Sequence, residues 1–278
     1  MKTRRACLLA VNFCILCTAS IGSYAKSPVA ADPFSASSWA AGTPVGSAQL
    51  TVHPGNQHIA YTAGGGTPNP EFQTLNWLSY GPDGSWTFEM VVSMPSLATT
   101  GLTNQQFADF GLRAMAAAPD KASLAIFVQD VNRGLGPNGV NVEERRFRVV
   151  STGRKNGDID ELNDPGLHPA ALSAIRLRFD AATGHLFADF DPDTANGLQW
   201  VPFGDLAHQS FALGEIQVFG QSGPVPGQTL QTGPQITAEN QIFGEKIQVV
   251  PEPSTYASLL AGLGVLLCLA LRGRPKAA

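Results

Sequence analysis

The chain has 278 residues, 44% of them hydrophobic and 14% charged, with a formal net charge of −4. A chain of this length can bury one sizeable core without covalent staples. The carboxylate excess argues against nucleic acid as a partner, because phosphate is repelled.

Lys2, Arg4 and Arg5 open the chain, the apolar run Ala6 to Ile21 follows, and Ser23-Tyr24-Ala25 supplies small residues. That order predicts a secretory signal peptide over residues 1–25, cut after Ala25. The four cysteines, Cys7, Cys14, Cys17 and Cys268, all fall in this segment or close to the C-terminus. A body without cysteine has no disulfide, thiol nucleophile or thiolate-bound metal. Charge separates in the same way. Between Lys26 and Val250 lie 12 of the 18 Lys and Arg but 21 of the 22 Asp and Glu, so the body carries about −9.

Residues 26–44, rich in Ala, Ser and Pro, read as a loose arm. From 45 to 249 no long apolar pattern of helical period occurs. Short alternating runs are separated by Gly, Pro, Asn and Asp, which predicts a single all-β domain. The runs are Trp86 to Val92, Ala108 to Met115, Ser123 to Gln129 and Arg145 to Val150. In the last of these Arg146 and Arg148 share one face, and Phe147 and Val149 the other. Ala174 to Phe179 and His185 to Phe190 predict a hairpin, with Gly184 available for a left-handed turn position. Gln199 to Phe203, Glu215 to Phe219 and Gln241 to Val250 are the later strands. Pro169 to Ser173 is read as one helical turn, and Leu97 to Gln106 is ambiguous.

The order Ala174 to Asp180, turn, His185 to Asp191, then Trp200 resembles concanavalin-A-like and laminin-G-like jelly rolls. The resemblance implies an antiparallel β-sandwich, flanked here by an N-terminal signal helix and a C-terminal transmembrane helix. An immunoglobulin-like sandwich is the alternative, although its paired-cysteine core is missing.

Several constellations bear on chemistry. Gly134-Leu135-Gly136-Pro137-Asn138-Gly139 fits the dinucleotide pattern GxGxxG, but Pro137-Asn138-Gly139 makes a turn toward a strand instead of a helix N-terminus. Two acidic stretches have the donor types calcium prefers: Asp158, Asp160, Glu161, Asn163 and Asp164, and the tighter set Asp189, Asp191, Asp193 and Asn196. Solvated turns are the simpler reading of both, and neither fits an EF-hand. Glu143 and Glu144 are adjacent and point opposite ways on a strand, unlike the paired carboxylates of a glycosidase. The five histidines form no HExxH, and no GxSxG occurs. Trp77 and Tyr80 flank Gly81-Pro82-Asp83-Gly84 and are the candidates for an exposed sugar-stacking platform. Calcium is thus the one candidate cofactor.

The end of the chain is the most specific stretch. Val250-Pro251-Glu252-Pro253-Ser254 precedes an uncharged run, Tyr256 to Leu271, and then the basic residues Arg272, Arg274 and Lys276 within 272–278. Sixteen residues make a helix of ~24 Å at 1.5 Å per residue, slightly under a ~30 Å hydrocarbon core. The cations belong on the cytoplasmic side, and the prolines hold the junction extended. This order resembles the PEP-CTERM sorting tail of Gram-negative bacteria over residues 250–278. The resemblance implies an exosortase as processing partner, with Glu252 between its prolines as the recognition element. It further implies an inner-membrane intermediate, and then a place at the cell surface or in the extracellular matrix. A non-enzymatic protein associated with exopolysaccharide and biofilm is the leading expectation. A secreted carbohydrate-active hydrolase on a jelly-roll scaffold is the alternative.

Overall fold

A computed structural model describes residues 27–81, 84–95, 102, 105–117, 122–135, 137–139, 141–152, 159–163, 168–203, 213–225 and 232–251. The predicted signal peptide and the sorting tail beyond Pro251 lie outside them. Among the described residues no helix is long and apolar enough to cross a membrane.

The described residues form sixteen strands: β1 (Ser27–Pro28), β2 (Trp39–Ala41), β3 (Gln49–His53), β4 (His58–Thr62), β5 (Glu71–Trp77), β6 (Tyr80–Gly81), β7 (Trp86–Ser93) and β8 (Gln106–Ala116), then β9 (Ser123–Leu135), β10 (Asn141–Thr152), β11 (Ile159–Asn163), β12 (Leu172–Asp180), β13 (His185–Asp191), β14 (Val201–Pro202), β15 (Leu213–Pro224) and β16 (Ile242–Pro251). One seven-stranded sheet runs β11-β10-β9-β8-β15-β5-β2 and another runs β14-β13-β12-β7-β16-β4-β3, while β1 and β6 form a small ribbon. Every pairing is antiparallel. Consecutive strands β4/β5, β7/β8 and β15/β16 cross from one sheet to the other. In this jelly-roll arrangement the late strands β15 and β16 wedge between early ones.

Side-chain alternation explains why the sheets pack. Phe88, Met90 and Val92 of β7 face Phe110, Leu112 and Ala114 of β8 across one shared core, joined by Leu124, Ile126 and Val128 of β9. Burying such side chains stabilises by roughly 1.5–3 kcal/mol each. A one-residue slip would turn every one of them to solvent, so the register is strongly specified. Both sheets and their core lie within residues 27–251, so this segment can fold alone.

The predicted runs all contain strand, and several are longer than expected. Ser123 to Gln129 extends to Leu135, and Glu215 to Phe219 grows to Leu213–Pro224. The hairpin is as predicted, with Asp180 paired to His185 and Gly184 at φ 72°. Of the GxGxxG stretch, Gly134 and Leu135 end β9, Pro137 to Gly139 turn toward β10, and Gly136 lies outside the described residues.

Three expectations are corrected. Part of the predicted loose arm 26–44 is structural: β1 and β2 pair with β6 and β5, and Trp39 packs edge-on against Trp77 and Phe88. Ala and Ser dominate its composition, but one tryptophan supplies enough apolar area to hold it. Pro169 to Ser173 is not a helical turn, since Ser173 lies in β12 paired with Val92. Gln199 to Phe203 contributes only Val201–Pro202. Within the ambiguous Leu97 to Gln106, Gln106 begins β8.

Candidate functional site

The outer face of the sheet containing β8, β9 and β10 carries a separate small apolar cluster, Ala125, Phe127 and Phe219, with Phe72 and Val150 against it. Cross-strand register puts the polar groups beside this cluster in order. Phe72, Gln221, Asp109, Gln129 and Arg146 form one transverse row over β5, β15, β8, β9 and β10. The neighbouring row is Thr74, Phe219, Gly111, Phe127 and Arg148. Gly111 has no room for a side chain, because a Cβ there would stand 2.3 Å from the Ile126 carbonyl oxygen.

Part of each row lines a cleft of about 570 Å³, walled by Phe107, Phe127, Val131, Val150 and Val225 and by Asp109, Gln129, Arg133, Arg146, Arg148 and Gln221. That volume falls within the range of small-ligand sites. Gln129 is the hub. Its Nε2 donates to Asp109 Oδ1 at 2.7 Å, while its Oε1 accepts from Arg146 Nε and Nη2 (2.9 and 2.7 Å) and from Arg148 Nη1 (3.1 Å). At the rim, Arg133 Nε meets Glu144 Oε2 at 3.1 Å.

Burial pushes the Asp109 carboxyl up to about 7, against the opposing pull of the Gln129 hydrogen bond and of Arg148 and Arg146. The unfolded chain ionises near the ordinary value, so Asp109 supports the fold fully below pH ~4. That support is lost as pH rises through about 7. Asp109→Asn is therefore expected to match the native protein at pH 4 and exceed it at pH 8, by on the order of 1–4 kcal/mol. Urea denaturation of residues 27–251 at both pH values measures this. A variant no more stable at pH 8 than the native protein would show that the ionised carboxylate is well accommodated.

The residues singled out from sequence behave differently. Asp189, 1% exposed, accepts Arg176 Nε at 2.7 Å and Arg178 Nε at 2.6 Å. Asp191 accepts the backbone N–H groups of Asp193 and Gln199, at 3.0 and 2.5 Å. Asp193 caps the 3₁₀ turn Thr194–Asn196 through Ala195 N–H. Asp189 and Asp191 do share a face, as alternation predicts, but their oxygens hold guanidinium and backbone. Among the described residues no group of three or more His, Cys, Asp or Glu is placed to hold a metal ion. The set does not fit calcium, which takes six to eight oxygens. Its work is local: it folds the loop that sets Trp200 under Arg176, 4.3 Å from ring centroid to guanidinium. In the other acidic stretch Asp160, Glu161 and Asn163 belong to β11, and Asp158 and Asp164 lie outside the described residues.

Trp77 and Tyr80 are not an exposed platform. Trp77 is 1% exposed and donates from Nε1 to the Ser79 carbonyl at 2.7 Å. Tyr80 is half-buried, its hydroxyl accepts Ile216 N–H at 2.8 Å, and burial pushes its pKa up to about 12. The sequence reading placed Arg146 and Arg148 on one face but missed Asp109, Gln129 and Gln221 as a group. The available signal was polar residues at alternate positions of otherwise apolar strands.

Of the sorting motif, Val250 and Pro251 are described. They close β16, paired with Thr87 and Trp86. Glu252, Pro253 and Ser254 lie outside the described residues. Residues 249–274 match the family model of the PEP-CTERM protein-sorting motif. The chain carries a PEP-CTERM sorting tail. That match begins within β16, so the sorting tail follows the last core strand without a linker. A search of curated proteins finds no match. Among solved structures the chain is similar to the carbohydrate recognition domain of Emp46p in its potassium-bound form (12% identity, TM-score 0.39, covering 81% of this chain and 95% of that one). It is also similar to the exoplasmic/lumenal domain of VIP36 bound to Ca²⁺ and Man3GlcNAc (13%, 0.38, 81% and 90%). A third is the lectin from Bauhinia forficata in complex with GalNAc (8%, 0.36, 78% and 94%).

Proposed function

We propose that this is an exported, exosortase-sorted, non-enzymatic protein of the Gram-negative cell surface or extracellular matrix. It binds carbohydrate, and specifically exopolysaccharide of a biofilm, through the cleft around Gln129. The observation carrying this reading is the row Gln221, Asp109, Gln129 and Arg146 beside Phe127 in one cleft. Fixed amide, carboxyl and guanidinium groups suit sugar hydroxyls, and the apolar walls suit the C–H face of the ring. Hydrolysis is the weaker reading. Asp109 has the raised pKa of a general acid, but it is the one carboxylate among the described residues lining the cleft, and glycosidases use two.

Residues 27–251 on a glycan array that includes host exopolysaccharide are expected to bind, and Phe127→Ala and Gln129→Ala to weaken binding at least tenfold. Full affinity in both variants refutes the cleft, and release of reducing ends by the native protein refutes the non-enzymatic reading. Sorting is tested separately. The basic residues at both ends place them in the cytoplasm, with the acidic body outside. In an exosortase-positive host, Glu252→Ala is expected to retain its tail and stay in the membrane, whereas the native chain loses Tyr256 to Ala278. Intact mass of the surface form decides, and a native form still carrying that segment marks the tail as a plain anchor.

A further inference from the structure

The seam between the body and its sorting tail carries a device of its own. β16 is held differently along its length. Ile242 to Glu245 pair with β4 on one side, and Phe243 to Glu245 pair with β7 on the other. The register with β7 then shifts between Glu245 and Gln248, where Lys246 takes a φ of 47°, a left-handed conformation that side chains rarely adopt. Beyond this bulge, among the described residues, Gln248 to Pro251 pair with β7 only, while β1 packs against β16. Ile247 is buried and Val249 packs against the core, but Val250 is 44% exposed and Pro251 has no N–H to donate. The grip of the sheet thus weakens toward the tail. The sorting-motif match begins at residue 249, so Val249, Val250 and Pro251 belong to the sheet and to the motif at once.

We propose that Gln248 to Pro251 form a strap that must peel from β7 before the tail is cut, with the bulge at Lys246 as its hinge. The inference rests on the sorting reading above. The physical grounds are three. An enzyme that cuts a peptide takes it extended and free of other pairing, whereas Val250 and Pro251 are in register with Thr87 and Trp86. Those partners are fixed, since both are buried and Trp86 stacks on Phe179 at 6.2 Å between centroids. Glu252 follows the last paired residue directly, so an enzyme enclosing Pro251-Glu252-Pro253 overlaps the end of the sheet. Where opening and closing are faster than cutting, cleavage follows the population of the open form. The folded body thereby sets the rate of its own release.

The test follows tail loss from the full chain by pulse labelling in an exosortase-positive host. Two changes act in opposite directions. Thr87→Cys with Val250→Cys puts a disulfide across neighbouring strands and closes the strap, in a body that has no other cysteine. The oxidised chain is expected to lose its tail at least tenfold more slowly than the same chain under reductant, which leaves the native rate unmoved. Inserting Gly-Ser-Gly-Ser-Val-Pro after Pro251 keeps β16 whole and rebuilds the motif on a free tether, and is expected to speed tail loss at least threefold. If the cysteine chain fails to fold, or keeps its tail in both redox states, the insertion decides alone. Equal rates for the oxidised and reduced chains, or an insertion that brings no acceleration, overturn the strap and leave the sorting reading standing. A native chain that never loses its tail overturns both.

Discussion

Trp77→Ala is expected to destabilise residues 27–251 by about 3–5 kcal/mol, with sugar affinity of the folded fraction unchanged. Trp77 is 1% exposed and sits edge-on to Trp39 at 4.9 Å and to Phe88 at 5.6 Å. Trp39 belongs to the N-terminal segment, Trp77 to β5 and Phe88 to β7 in the opposite sheet. Removing the central ring leaves a cavity and releases the segment that closes the sandwich edge. Urea denaturation of the variant gives the loss of stability, and titration gives the affinity. A loss under 1 kcal/mol together with abolished sugar binding would restore Trp77 to a binding role.

The second large effect is expected at Asp130. This side chain is fully buried, and Arg145 meets it with Nε to Oδ1 at 2.6 Å and Nη2 to Oδ2 at 2.8 Å. Arg145 Nη2 also donates to the Pro95 carbonyl, so the pair ties the β9–β10 hairpin to the chain leaving β7. Asp130→Asn keeps the shape but leaves a buried guanidinium without its counter-charge, at a cost of roughly 3–5 kcal/mol. Replacing both partners, Asp130→Leu with Arg145→Met, is expected to cost less than the single change, since no lone charge remains inside. A double variant less stable than Asp130→Asn would show that the pair stabilises beyond mutual neutralisation.

Much of the architecture was readable along the chain. Apolar and polar residues alternate with period two wherever a strand has one face in the core, so β7, β8, β10, β12, β13 and β16 announce themselves. The sorting tail was equally plain, since a Pro-Glu-Pro sequence, an uncharged run and a basic end are local properties of a linear peptide. Burial of a particular aromatic was not readable. Trp77 and Tyr80 border a Gly- and Pro-rich turn, which suggests exposure, yet Trp39 and Phe88 reach Trp77 from distant positions.

Composition alone also misdirected attention to Asp189, Asp191 and Asp193. A run of carboxylates reads the same whether it awaits a cation or is already held by Arg176, Arg178 and backbone N–H groups. The sequence by itself determined the strand periodicity, the acidic body and the sorting tail, because each depends on residues a few positions apart. Only the tertiary structure decided that Gln221, Asp109, Gln129 and Arg146 form one row. Those residues lie up to 112 positions apart in the chain, and a cross-strand neighbour is chosen by which strands pair and in what register. That choice is made by burial of the opposite face, where Phe110, Val128 and Phe147 lock the sheet and carry the polar row into line behind them.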